Sequence, residues 1–135
     1  MIRLAAIDHV VFRVADVDTS LRFYTEVLGA TLEKVQAEIG LYQLRAGTSL
    51  IDLVPVDGPL GRMGGAPPAE QGRNVDHVCF RVLPWDEAGI IAHLKGHGID
   101  AQVARRYGAE GDGPSIYLSD PDGNGLELKG PPSAD

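Results

Sequence analysis

The sequence has one cysteine, no excess of positive charge and no long apolar run, and each absence excludes a class of protein. With only Cys79, the chain cannot build an internal disulfide framework, which suits a reducing compartment. A formal net charge of −7 disfavours nucleic acid and anionic membranes as partners. No stretch approaches the roughly 20 apolar residues that cross a bilayer, and no signal peptide is recognised. We therefore expect a cytoplasmic protein.

What remains is the composition of an ordinary globular chain. The 135 residues are 44% apolar and 23% charged, which fits one compact domain or two small modules sharing a core. Cys79 lies within a strand pattern, so we expect it to be a core residue.

The clearest feature is an internal repeat. Residues 7–14 read IDHVVFRV and residues 75–82 read VDHVCFRV, with six identities in eight positions. Both copies have the β-branched and aromatic content of a strand, and both carry a histidine, His9 or His77. The repeat predicts two similar modules that contribute to a shared site.

Alternation within the first copy assigns its faces. Val10, Phe12 and Val14 form an apolar face that should pack on a helix. His9 and Arg13 lie on the other face, which should line a wetter space.

Each copy begins a βαβββ pattern. In the first, a helix capped by Asp16 or Asp18 ends at Gly29, and strands follow near 31–38, 40–46 and 48–56. In the second, a helix over about 85–97 precedes strands near 100–107, 114–119 and 124–129, with a turn at 120–125 predicting a hairpin. This gives a module at 1–56, a Gly/Pro-rich connector at 57–74 and a module at 75–130. The connector is either a solvated linker or a loop over the site, with Arg62 or Arg73 reaching a substrate anion.

The last strand of each module contains a carboxylate between aliphatic residues, Asp52 in the first and Glu127 in the second. A buried carboxylate is costly unless it is paired, protonated or bound to a metal. His9, His77, Glu127 and Asp52 would form a mixed nitrogen and oxygen set that suits Zn, Ni, Mn, Co or Fe(II). The alternative is two core histidines bonded to backbone, with the acids paired to Arg13 and Arg81. Because the pattern occurs twice, we favour one catalytic divalent metal ion.

Other candidates are weaker. His93 and His97 are four residues apart on a helix but lie toward solvent, so we interpret them as surface residues. The Gly- and Arg-containing segment 105–115 is either an anion-binding loop or a flexible connector. Its glycines follow no strand–helix order, which excludes a dinucleotide site.

These pieces together resemble the vicinal oxygen chelate superfamily, which includes glyoxalase I, extradiol dioxygenases, fosfomycin-resistance proteins and bleomycin-binding proteins. The matching segments are residues 7–9 (IDH), 16–29 (with SLRFY and VLG), 75–77 (VDH) and 117–128 (YLSDPDGN leading to LEL). The resemblance implies an α+β fold of paired βαβββ modules that form an open cup-shaped mixed sheet. It implies His9, His77 and Glu127 as metal ligands. Asp52 stands where glyoxalase-like members add an acid, usually Glu. Its side chain is one methylene shorter than that of Glu, which leaves two alternatives: Asp52 binds the metal directly, or it reaches the metal through a water.

The resemblance favours a glyoxalase-type lyase or isomerase, in which the metal holds two neighbouring substrate oxygens and Asp52 or Glu127 acts as base. An extradiol dioxygenase is disfavoured because Asp52 would crowd its Fe(II) site and no further histidine lies on a suitable element. A fosfomycin-type addition of thiol or water uses the same ligands and stays open as a transferase or hydrolase. The alternative of another class is a non-catalytic drug-binding protein.

Substrate contacts are predicted only from strand faces and loop positions. On that basis the candidates for binding a small-molecule substrate are Arg13, Tyr42, Arg106 and Tyr117. By analogy with the superfamily we expect a homodimer, with each site formed within one chain or shared between two.

Overall fold

The computed structural model describes residues 1–134 and contains the two predicted βαβββ modules, each with a mixed four-stranded sheet. The chain divides into two compact units after Gln71. The elements of the first unit are β1 (His9–Val14), α1 (Val17–Arg22), β2 (Thr31–Gln36), β3 (Leu41–Ala46) and β4 (Ser49–Pro55). Those of the second are β5 (His77–Arg81), α2 (Glu87–Gly96), β6 (Val103–Gly108), β7 (Gly111–Ser119) and β8 (Gly125–Lys129).

In the first unit the strand order is β1-β4-β3-β2. The first and last strands pair in parallel, and the others are antiparallel. The predicted apolar face of β1 packs on the helical segment, with the Phe12 and Tyr24 rings stacked at 5.9 Å between centroids. Leu44 and Leu53 are fully buried on the same side, so the core of this unit lies between sheet and helix.

The first helix begins where the sequence placed it. Asp16 is the N-cap, and its side chain accepts hydrogen bonds from the backbone N–H groups of Asp18 and Thr19. The segment continues as a π-helical turn over Phe23–Val27, and Gly29 follows with a φ of 76°. A left-handed conformation at this point favours glycine, which explains why the helix ends there.

The connector is tied to the first sheet through Arg13. A short 3₁₀ turn over Gly61–Gly64 interrupts it. The Arg13 guanidinium donates to the carbonyls of Gly61, Gly65 and Ala66 at 2.8, 2.6 and 3.0 Å. This part of the connector is therefore fixed to β1.

The second unit repeats the topology with the strand order β5-β8-β7-β6. The predicted hairpin joins β7 to β8. Asp120 closes its turn by accepting from the backbone N–H groups of Asp122 and Asn124 at 2.9 and 2.8 Å. The core contains the buried apolar residues Leu94, Ile116, Leu118, Leu126 and Leu128.

Cys79 is exposed, so the prediction that it is a core residue is wrong. Because side chains alternate along a strand, Cys79 shares a face with His77, while Val78 and Phe80 point to the core side. The strand pattern gave its location but not its face. His93 and His97 are exposed, as predicted. Within residues 1–134 no helix is long and apolar enough to cross a membrane.

Candidate metal centre

Asp52 and Glu127 occupy equivalent positions in the two sheets. Asp52 lies between Val11 on the parallel neighbour and Gln43 on the antiparallel one. Glu127 lies between Cys79 and Tyr117 in the same way. The histidine of each unit is two residues before the β1 or β5 partner of the acid, on the same strand face. The repeat seen in the sequence is therefore a repeat of local geometry.

In the second unit the histidine and the acid are in contact. His77 Nε2 lies 3.1 Å from Glu127 Oε1, and His77 Nδ1 lies 2.7 Å from a carboxylate oxygen of Asp76. The Tyr117 ring meets the His77 imidazole edge to face at 5.7 Å. A carboxylate on one ring nitrogen orients the other, which is the usual support of a metal-binding histidine.

The Glu127 carboxylate is buried, and its hydrogen bonds decide its charge. Burial alone would raise the pKa of Glu127, but donors from Ser115, Tyr117 and Cys79 and the charge of His77 outweigh it, so the pKa is lowered. The bond from Ser115 Oγ is short, at 2.6 Å. Glu127 is therefore held as a carboxylate, the form that binds a cation.

In the first unit the same position is less well supported. Asp52 is 3% exposed, and the Gln43 amide donates to its two oxygens at 3.3 and 3.4 Å. The Gln36 side-chain amide in turn donates to the side-chain oxygen Oε1 of Gln43 at 3.0 Å. Burial raises the pKa of Asp52 more than the Gln43 amide and the charge of His9 lower it. The pKa of Asp52 is thus shifted upward, whereas that of Glu127 is shifted downward.

His9 is oriented in the same way as His77. Its Nδ1 lies 2.7 Å from Asp8 Oδ1, and this hydrogen bond is the largest cause of its raised pKa. The hydrogen bond to Asp76 is likewise the largest cause of the raised pKa of His77. Each module therefore presents an aspartate-oriented histidine beside a buried acid.

These pairs fit a divalent metal ion chemically. Two ligand atoms bound side by side at about 2.1 Å from a metal are about 3.0–3.4 Å apart, and His77 Nε2 and Glu127 Oε1 meet that spacing. A neutral imidazole and a carboxylate are the donors that Zn, Mn, Ni, Co and Fe(II) accept. Within residues 1–134, however, no three histidine, cysteine, aspartate or glutamate side chains are gathered around one metal position.

The predicted substrate-binding residues lie in different surroundings. Arg106 is exposed above the Tyr117 ring at 5.8 Å, and Tyr117 is next to Glu127. Arg13 uses three of its five N–H donors on the connector. Tyr42 alternates with Gln43 and so lies on the sheet face opposite Asp52. The structure brings Arg106 and Tyr117 together beside the second-unit pair.

Sequence reasoning did not find Gln43, Ser115 and Lys129. Gln43 and Ser115 donate to the acids from neighbouring strands, and Lys129, on the same strand as Glu127, donates to Ser115. A sequence signal for Ser115 and Lys129 does exist. Side chains alternate along a strand, so Lys129 shares a face with Glu127 and Ser115 shares a face with Tyr117.

A family model described as the Glyoxalase/Bleomycin resistance protein/Dioxygenase superfamily matches residues 6–128. The chain belongs to this superfamily, as the resemblance predicted.

Among known proteins, the chain is similar to the metallothiol transferase FosB of Staphylococcus epidermidis, with 28% identity over 93% of this chain and 81% of FosB. It is 30% identical to the virulence protein STM3117 of Salmonella typhimurium over 90% of this chain and 81% of that protein. The crystal structure of STM3117 matches with a TM-score of 0.76 over 97% of this chain and 100% of that chain, at 28% identity. The lactoylglutathione lyase of Agrobacterium tumefaciens shares the fold at 20% identity, with a TM-score of 0.64 over 94% of both chains.

Proposed function

We propose that this chain is a divalent-metal-dependent enzyme of the glyoxalase type, which promotes proton transfer in a small substrate with two neighbouring oxygens. His9, His77 and Glu127 would be its metal ligands. The observation that carries the proposal is the contact of His77 Nε2 with Glu127 Oε1 at 3.1 Å, with Asp76 behind the imidazole.

Asp52 is assigned the role of base in this proposal. Burial raises the pKa of Asp52, which favours it as a proton acceptor, whereas the donors around Glu127 lower the pKa of that acid and hold it as an anion. General bases work best when their pKa is raised toward the pH at which they act. The difference in support, one amide for Asp52 and several donors for Glu127, divides the two acids into a base and a ligand.

The chemistry that the metal supplies when bound is to hold two substrate oxygens and to acidify the adjacent C–H. The rest is done by the chain. Asp8 and Asp76 keep the two imidazoles oriented, and Gln43 holds the Asp52 carboxylate in place. Arg106, placed over Tyr117, adds positive charge beside Glu127 for a substrate oxyanion.

A second candidate function is metal-dependent transfer of a thiol. It is favoured by the similarity to FosB, whose name is metallothiol transferase. The same ligand set serves it, but Asp52 would then have no proton to remove from carbon. A non-catalytic binding protein is the outcome if no metal is held.

Metal analysis comes first, after reconstitution of the purified chain with Ni, Zn, Mn, Co or Fe(II). We expect about one ion per chain, lost in His77→Ala and kept in His93→Ala, which removes an exposed histidine on α2. Turnover of a methylglyoxal–thiol adduct then tests the lyase, and consumption of thiol with fosfomycin tests the transferase. A chain that holds no ion under all these conditions contradicts every enzymatic interpretation.

We also propose that the chain acts as a homodimer, on the superfamily resemblance. Sedimentation equilibrium tests this directly. Mixing His9→Ala with Glu127→Gln chains after joint refolding shows whether a site uses residues of two copies, because a shared site would recover part of its activity in the mixed dimer. Two inactive variants that stay inactive when mixed indicate sites formed within one chain.

A further inference from the structure

Glu127 is held from one side by a serine, which a lysine contacts in turn, and neither residue has a role in the proposed reaction. Ser115 is fully buried, and its Oγ donates to Glu127 Oε2 at 2.6 Å. The opposite oxygen, Oε1, is the one that lies near His77 Nε2. The two carboxylate oxygens therefore have different partners.

Lys129 determines the direction of the serine proton. Lys129 is 4% exposed, and its Nζ donates to the Arg106 carbonyl at 2.5 Å and, over longer distances of 3.4 and 3.5 Å, to the Gly113 carbonyl and Ser115 Oγ. An ammonium group only donates hydrogen bonds. Ser115 Oγ must accept from it, which leaves the hydroxyl proton for Glu127.

Space for the lysine is provided by a glycine. A Cβ at Gly108 would lie 2.4 Å from Lys129 Cε and 2.8 Å from its Cδ. The aliphatic stem of Lys129 thus runs across the bare backbone of β6, so that the ammonium reaches the carbonyls beyond it.

The first module shows that this arrangement is not needed to build the sheet. Ser115 lies two residues before Tyr117, the antiparallel partner of Glu127, and Lys129 lies two residues after Glu127. The equivalent positions in the first module are Leu41 and Val54. Asp52 has no serine of this kind beside it, and its pKa is raised where that of Glu127 is lowered. The serine and the lysine are therefore a feature of the module whose acid contacts its histidine.

We propose that Ser115, supported by Lys129, is a positioning residue that retains Glu127 Oε2 so that Oε1 alone is presented to a metal ion beside His77. The inference rests on the proposed metal function. It assigns Glu127 as a ligand through one oxygen, with Ser115 and Lys129 as its outer support.

Cobalt binding to the whole chain tests the consequence. Ser115→Ala and Lys129→Met should each weaken Co(II) binding about tenfold, the usual effect of removing an outer partner of a ligand. Both should change the visible Co(II) spectrum, because a released Oε2 joins the coordination. Ser115→Thr, which keeps the hydroxyl, should retain most of the affinity. Ser119→Ala on the same strand and Lys34→Met on β2 are the matched controls. Unchanged affinity and spectrum in both Ser115→Ala and Lys129→Met overturn the inference.

A measurement without metal separates this inference from the proposed function. In the metal-free protein, the Glu127 ¹³Cδ resonance should shift in Ser115→Ala and Lys129→Met but not in Ser119→Ala. If the wild-type chain binds no Co(II), the proposed function fails and this resonance alone decides the positioning role. A resonance that stays in place in folded variants, checked by their thermal unfolding, refutes the role of Ser115 whether or not metal binds.

Discussion

Asp52 and Glu127 hold the same position in two sheets of the same topology, yet the pKa of Asp52 is raised and that of Glu127 is lowered. The difference follows from their neighbours. Gln43 gives Asp52 one long amide contact at each oxygen, whereas Glu127 receives a short hydroxyl bond and lies beside an imidazole. We therefore expect substitutions of the two acids to have different effects.

Substituting Asp52 separates catalysis from metal binding. If Asp52 is the base, Asp52→Asn should lower kcat/KM by about 100- to 10,000-fold and leave the ion content measured by elemental analysis unchanged. Asp52→Glu, which restores a carboxylate, should recover part of the rate. Loss of the ion in Asp52→Asn would instead make Asp52 a required ligand.

The raised pKa of Asp52 also predicts how stability changes with pH. Because folding raises this pKa above 3.8, the usual value for an aspartic acid, the contribution of the neutral acid is complete below pH 3.8 and is lost as pH rises through the folded pKa. Asp52→Asn removes this loss. The metal-free variant should therefore gain stability relative to the wild type between pH 4 and 7 in urea unfolding. A constant difference over that range would contradict the raised pKa.

Asp120 should be the most sensitive residue of the β7–β8 turn. It is buried and accepts from two backbone N–H groups and from the Asn124 side chain. Asp120→Ala leaves these donors without their acceptor, so we expect a loss of about 2 kcal/mol in the free energy of unfolding. Asp112→Ala removes an exposed carboxylate of β7 and should stay within about 0.5 kcal/mol of the wild type. Equal effects of the two changes would show that the turn does not depend on Asp120.

The connector should open to protease when Arg13 is changed. Arg13→Gln removes three hydrogen bonds to the connector backbone, and a loss of about 1 kcal/mol is enough to raise the open population about fivefold. Trypsin should then cleave after Arg62 several times faster, as followed by mass spectrometry. Arg45→Gln, which breaks a surface pair with Glu33, is the control. Equal cleavage rates in the two variants would mean that Arg13 does not hold the connector.

Cys79 should react slowly although it is exposed. Partial burial of the sulfur and the charge of Glu127 raise the pKa of Cys79 to about 11. Since the thiolate is the reactive form, alkylation by iodoacetamide at pH 8 should be at least about tenfold slower than for free cysteine. Glu127→Gln removes the charge and should speed the reaction in the metal-free protein. A wild-type rate equal to that of free cysteine would refute the raised pKa.

The order of strands and helices could be predicted from local signals, because alternation, an N-cap at Asp16 and a turn at Asp120 each act over a few residues. The supports of the site could not. Whether Ser115 meets Glu127 depends on the register between two strands, and one residue of slip would put the serine on the other face. Cys79 was misplaced for the same reason, since its strand could be recognised before its face was assigned. Arg13 reaches the connector across 48 residues of chain or more, a contact that no local pattern contains.

The parallel pairing of the first and last strands within each module has a kinetic consequence. His77 and Glu127 are separated by 50 residues of sequence and meet only when β8 has docked on β5. Closing so long a loop is among the slow steps of folding a small domain. A chain still emerging from the ribosome, or one cut short before β8, therefore has the histidine without its acid. A metal ion that needs both residues would therefore bind tightly only to a completed module and weakly to an unfinished one.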